Sequence, residues 1–243
     1  MIKTGLSLLA ATAAACGIMF LSSCGGAMSG ASIKSSADSA AYAIGLANGF
    51  GMGQSLATAP GDSLNVEIIA RALRDGLKQD TSLMTPEKAQ MFVQEYFQKV
   101  QVQQEEANKK AGQDFLAENG KKEGVVTTAS GLQYMITEEG NGPKPAATDT
   151  VQIHYKGTYL DGTVFDSSYD RGEPAKFVLN QVIPGWTEGV QLMNEGSKFT
   201  LWIPENLGYG ARPLDPSKGG YQMLTFECEL LKVIPGVPAP EAK

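Results

Sequence analysis

Hydrophobic positions change their period along the chain, and the change predicts helices first and strands afterwards. From Ser39 to Leu56, Tyr42, Leu46 and Phe50 recur at helical spacing together with Gly45, Gly49 and Gly53. Glycines four apart share one helix face and let a partner helix approach closely, although each costs about 1 kcal/mol of helix propensity. The segment reads either as an intimate helix crossing, such as one between subunits, or as a loosely helical stretch. Asn65 as N-cap, ahead of Ile68, Ile69, Ala72, Leu73 and Leu77 on one face, predicts a second helix ending near Lys78. A third opens with Thr85 as cap, Pro86 at the first helical position and Glu87 beside the positive helix end. It continues to Glu118, before Asn119 and Gly120 stop it, which at 1.5 Å per residue makes a rod on the order of 50 Å.

The long helix is not uniform. Met91, Phe92, Tyr96, Phe97 and Val100 form an apolar stripe, whereas 101–110 is almost entirely polar. The first half therefore needs something to bury against, and the second half can stand in solvent. Helices of this size make a thin core alone. Residues 38–122 therefore read as an association module completed by a second copy, giving a homodimer, with a monomeric hairpin packed on the C-terminal part as the alternative.

After Gly124 the period shortens to that of strands: Leu132–Thr137, Val151–Leu160, Lys176–Leu179, Lys198–Ile203 and Met223–Ile234, with Asp161-Gly162 as a turn. One short helix interrupts them, from about Trp186 to Met193. Strands without regular helical crossovers predict a mainly antiparallel sheet carrying one helix, hence an α+β fold.

Composition and charge refine this picture at the ends. The 243 residues suit two modest cores, and a formal net charge of −6 without a basic stripe excludes a nucleic-acid partner. Lys3 followed by the apolar run Leu6–Leu21 has the layout of an export signal, or of an uncleaved anchor near the lower length limit for a span. The string LSSC, Leu21 to Cys24, favours the former because it resembles the lipobox of bacterial lipoproteins, in which cleavage precedes a cysteine that takes a lipid. Residues 1–23 are then the signal, 24–37 a Gly/Ser/Ala tether, and Cys24 the membrane attachment. Cys16 leaves with the signal, so Cys228 alone remains in the body and no internal disulfide can form. Residues 237–243 are a tail.

Familiar catalytic constellations are missing. His154 is the only histidine, which excludes a multi-histidine metal site and a Ser-His-Asp frame, and no G-x-x-x-x-G-K run is present. On its strand His154 faces away from Val151, Ile153 and Tyr155. What the C-terminal half offers instead is aromatics near turns: Tyr155, Phe165, Phe177, Trp186, Tyr209 and Phe226, with Asp166 inside VFDSS. By itself Asp166 reads as a turn cap, Trp186 and Phe226 as core, and Cys228 as packing beside Phe226.

The runs YKGTYLDGTVFDSS (Tyr155 to Ser168), VIPGWTEGVQLM (Val182 to Met193) and TFECELL (Thr225 to Leu231) resemble the FKBP-type peptidyl-prolyl cis/trans isomerases. The layout with a helical region and a long connecting helix is similar to their Mip-like branch. The resemblance implies an antiparallel half-barrel wrapped on one short helix over residues 123–236. It implies an isomerase without cofactor or metal, acting on proline-containing unfolded or exported clients in the bacterial cell envelope and open to FK506-like macrolide inhibitors. It further implies Trp186 as pocket floor, Tyr155, Phe165, Phe177, Val182, Ile183 and Phe226 as walls, and the Ile183 N–H and Tyr209 hydroxyl as substrate donors. Asp166 would orient the Tyr155 hydroxyl. Two places depart from the family pattern: Ala175 stands where an aromatic wall is common, and PSKGGYQ (Pro216 to Gln222) where an apolar loop is common. Tyr221 could replace some of the lost apolar area.

Such a pocket needs no nucleophile. The amide barrier is roughly 18–20 kcal/mol because rotation removes resonance, and the twisted form carries less charge on oxygen, so dry apolar surroundings favour it. The other reading of the same features is a client-holding chaperone with weak isomerisation.

Overall fold

A computed structural model describes residues 32–61 and 63–236. The predicted signal, Cys24 and the tail 237–243 lie outside the described residues. The three predicted helices form as α1 (Ser36–Ala57), α2 (Val66–Leu77) and α3 (Pro86–Asn119). Their caps are those the sequence predicts: Asn65 Oδ1 accepts the N–H groups of Glu67 at 2.9 Å and Ile68 at 3.3 Å. Thr85 Oγ1 accepts the Lys88 N–H. No residue of α1 or α2 is buried, and Tyr42, Phe50, Ile68, Leu77, Met91 and Phe92 are exposed. Among the described residues no helix is long and apolar enough to cross a membrane.

The polar half of α3 is exposed at Gln101, Val102, Gln103, Glu106, Ala107 and Lys110, but its other face packs, which its composition does not predict. Gln104, Asn108 and Lys109 are half-buried, and Gly112 is buried against Met223. Asn108 Nδ2 donates to the carbonyls of Lys218 and Gly220 at 2.9 and 2.8 Å. Further along, Gln133 Nε2 donates to the Leu116 carbonyl and Asn119 Nδ2 to Gln133 Oε1. A polar helix face can pack when its amides find backbone carbonyls as partners, and hydropathy does not register that.

The C-terminal part is one antiparallel sheet. Its strands are β1 (Val126–Thr127), β2 (Gln133–Glu138), β3 (Thr150–Tyr159), β4 (Val164–Ser167), β5 (Ala175–Val178), β6 (Lys198–Ile203) and β7 (Leu224–Ile234). The order is β1-β2-β6-β7-β3-β4, with β5 also pairing β3. β3 buries Val151, Ile153, Tyr155, Gly157 and Tyr159, the alternation of a sheet with one packed face. On β7 the same alternation holds to Leu231, then a register shift against β3, with Leu231 as the extra residue, leaves Lys232 outward as well and returns Val233 to the core.

The single helix on this sheet, α4 (Pro184–Gln191), starts earlier than its predicted first residue, Trp186. Pro184 occupies the first turn, where a missing N–H costs nothing, and this draws the start upstream. β1 and β4 were not predicted; β1 is two residues long, and β4 carries an irregularity that breaks its period. The core lies between α4 and the sheet: Leu132, Ile153, Leu179, Trp186, Val190, Phe199, Leu201, Ile203, Leu224 and Leu230 are its centre.

Candidate active site

The irregularity in β4 builds the pocket. Gly157 pairs with Asp166 and Thr158 with Val164, so Phe165 is the extra, unpaired residue of a bulge. Regular alternation would send Phe165 and Asp166 to opposite faces, yet both line one cavity of about 430 Å³. The remaining lining residues are Tyr155, Phe177, Gln181, Val182, Ile183, Trp186, Tyr209 and Phe226. Every body residue predicted for the site is thus brought together from β3, β4, β5, α4, the loop after β6, and β7.

Gly157 makes the aromatic packing possible. A Cβ there would lie 2.6 Å from the Phe165 ring and 2.9 Å from the Phe226 ring. The rings meet edge to face: Phe165 with Phe226 at 5.5 Å, and Trp186 with Tyr155 at 5.2 Å, with Phe177 at 5.5 Å and with Phe226 at 5.2 Å. Trp186 is buried at the base, and its indole Nε1 has no hydrogen-bond acceptor among the described residues.

The polar side of the pocket is a three-membered cluster. The Tyr155 hydroxyl donates to Asp166 Oδ2 at 2.5 Å and accepts from Arg171 Nη2 at 2.8 Å, while Arg171 Nη1 also pairs with the Asp166 carboxylate. Burial, reinforced by the hydrogen bond to Asp166, pushes the Tyr155 phenol up to about 12, so it remains a donor. Burial pushes the Asp166 carboxyl up, but the Tyr155 hydroxyl and the Arg171 guanidinium outweigh it and hold the group below its usual value. Burial, with the Asp166 charge adding to it, also raises the Tyr209 phenol. The site thus carries neutral hydroxyls and one ionised carboxylate over an aromatic floor.

Arg171 and Gln181 were missed by sequence reasoning. Arg171 lies in a polar turn with nothing in its spacing to connect it with Tyr155; only the short β4 return brings it there. One expectation needs correction. Tyr221 does not supplement the pocket: its backbone is left-handed, at φ 57°, and its ring lies beneath Lys109 Nζ at 3.6 Å on α3. At the two places that depart from the family pattern, Ala175 and the segment 216–222, the chain contributes nothing to the lining, whereas Phe177, two residues along β5, faces the cavity.

Groups outside the pocket have ordinary roles. His154 is half-buried, 3.0 Å from Ser168 Oγ and stacked on Tyr169 at 4.6 Å. Cys228 is buried, and burial raises its thiol well above the usual value. Among the described residues no group of three or more His, Cys, Asp or Glu could hold a metal ion.

Comparison with known proteins agrees with this geometry. Residues 142–231 match the FKBP-type peptidyl-prolyl cis-trans isomerase domain, and 37–136 match the domain amino terminal to it. The chain is 45% identical over 212 residues to the FKBP-type peptidyl-prolyl cis-trans isomerase FkpA of Aeromonas hydrophila, covering 84% of this chain and 78% of that protein. It is 37% identical over 180 residues to outer membrane protein MIP of Legionella longbeachae, covering 71% and 77%. The crystal structure of FkpA from Escherichia coli superimposes with a TM-score of 0.67 at 33% identity, covering 84% of this chain and 99% of that one. Pocket, sheet order and relatives converge: the chain belongs to the FKBP-type peptidyl-prolyl cis-trans isomerase family.

Proposed function

We propose that this protein catalyses cis/trans isomerisation of X-Pro bonds in exported polypeptides, with the aromatic cavity as its site. The observation that carries the reading is the indole of Trp186 walled by Tyr155, Phe177 and Phe226, an apolar floor without a nucleophile. In this reading the ring rests on Trp186 between Phe165, Phe177, Val182 and Phe226. The Ile183 N–H and the Tyr209 hydroxyl hold substrate carbonyls, and Asp166 fixes the Tyr155 hydroxyl against the rotating amide. Water is excluded, so the planar amide loses the solvation that favours it over the twisted form. Stabilising the twisted form by about 5 kcal/mol accelerates exchange by roughly 10⁴-fold.

The domain plan follows the same reading: signal 1–23, tether 24–37, dimerisation region and connecting helix 38–122, isomerase domain 123–236, tail 237–243. Lipid on Cys24 holds a homodimer at the bacterial envelope, on the periplasmic side of the outer membrane, and the pocket admits FK506-like macrolides. The exposed apolar side chains of α1, α2 and the first half of α3 favour a second, compatible role, in which paired helical regions hold unfolded clients.

The deciding experiment is cis-to-trans exchange of a short X-Pro peptide beside Asp166→Ala and Trp186→Ala variants shown to be folded. Acceleration that both variants lose supports the reading; an inert wild type shifts it to client holding alone. Light scattering of the chain from Ser36 tests the dimer, and a monomer mass overturns it. Labelled fatty acid incorporated by the wild type and not by Cys24→Ala tests the anchor.

A further inference from the structure

The loop that follows β6 carries Tyr209 to the pocket and returns to β7 without a strand of its own. Left to itself, a connection of this length is mobile, and a hydroxyl on it would be poorly placed. It is held from outside the isomerase sheet. Asn108, on the polar half of α3, uses its whole side-chain amide: Nδ2 donates to Lys218 O and Gly220 O, and Oδ1 accepts from Gln104 Nε2 at 2.9 Å. Gly219, between the gripped carbonyls, takes φ 70°, which turns both toward the helix.

The grip reaches the pocket in two directions. The Tyr221 N–H, next to Gly220, donates to Gly210 O at 2.6 Å, and Gly210 is the neighbour of Tyr209. Lys218 Nζ pairs with Asp161 and lies 3.2 Å from Thr163 Oγ1, on the turn that leads into Phe165 and Asp166. α3 itself is anchored at its end by Gln133 and Asn119. Helix, loop and β3–β4 turn therefore form one hydrogen-bonded chain.

We propose that Asn108 is a positioning residue of the isomerase site, which fixes the Tyr209 hydroxyl by clamping the returning loop to α3. The proposal rests on the functional reading above. It makes the connecting helix part of the catalytic apparatus rather than a spacer: bending or strain in α3 at Asn108 changes turnover without touching substrate.

The test is a double-variant cycle on kcat/KM for an X-Pro peptide, with thermal unfolding of each variant. Tyr209→Phe and Asn108→Ala are each expected to lower kcat/KM on the order of threefold to tenfold, the factor carried by one neutral hydrogen bond. Combined, they fall no lower than Tyr209→Phe alone, because the clamp acts through that hydroxyl. Asn108→Asp, equal in shape but with oxygens facing the two carbonyls, matches or exceeds the loss. Asn108→Ser, which keeps one donor, gives a smaller loss and serves the same cycle should the alanine variant melt too early. Losses that multiply, or Asn108 variants at the wild-type rate beside a slow Tyr209→Phe, overturn the inference alone. An inert wild type overturns the functional reading itself, and an unaffected Tyr209→Phe removes the hydroxyl through which the clamp would act.

Discussion

Tyr155 on β3 and Asp166 on β4 are diagonal neighbours across an antiparallel pair, and the 2.5 Å hydrogen bond between them exists because Asp166 pairs with Gly157 on the packed face of β3, while the bulge brings Phe165 to the same side. The carboxylate thus spends one oxygen on the hydroxyl and the other on Arg171, and both partners are fixed before substrate arrives. Charge-assisted bonds of this kind are worth about 1.5–3 kcal/mol, so Tyr155→Phe and Asp166→Ala are each expected to lower kcat/KM roughly 10- to 100-fold. A peptide exchange assay reads this, and a loss below twofold in both would show that the pair is only structural.

Arg171 and Asp166 are both about half exposed, with side chains 46% and 42% accessible. Such a pair contributes about 0–1 kcal/mol to stability, so Arg171→Ala is expected to leave the urea midpoint nearly unchanged. It should nevertheless slow exchange several-fold, because it frees Asp166. Arg171→Lys cannot bridge Asp166 and Tyr155 with one fork and is expected to restore little of the rate.

Gly157→Ala places a methyl 2.6 Å from the Phe165 ring and 2.9 Å from the Phe226 ring, so one of the two must shift. Overpacking of this kind costs about 1–3 kcal/mol, and relief by moving Phe165 opens the pocket wall. Urea unfolding should show the destabilisation, and a peptide assay should show a raised KM.

The pH response follows from two shifts of opposite kind. The Asp166 pKa is depressed by folding, so its contribution is complete above the ordinary 3.8 and is lost as pH falls through the lower folded value. The Tyr155 pKa is raised by folding, so its contribution is complete below 10.0 and is lost as pH rises from there toward about 12. Activity and stability are expected to be flat through neutrality and to fail at both extremes. In Tyr155→Phe the alkaline loss of stability between those values should shrink, as a melting series across pH would show.

Cys228 is buried with a raised thiol, and the predicted outcome is resistance to a maleimide at neutral pH until denaturant is added. Prompt labelling of the native protein would place the thiol on the surface.

What the sequence by itself determined are the features with local causes. Asn65, Thr85 and Pro86 start their helices because a cap needs only the next turn, and β3 alternates because each side chain feels one face of the sheet. The identities of the pocket aromatics were legible too, carried by motifs in which turn and side chain are neighbours. The tertiary structure alone decided how these pieces meet. Phe165 and Asp166 share a face only through the register against Gly157, Arg171 joins Tyr155 only across a strand return, and Asn108 finds its carbonyls 110 and 112 residues away. Hydropathy gave no sign that one face of this stretch of α3 packs, because it counts the cost of burying an amide and not the backbone acceptors that offset it.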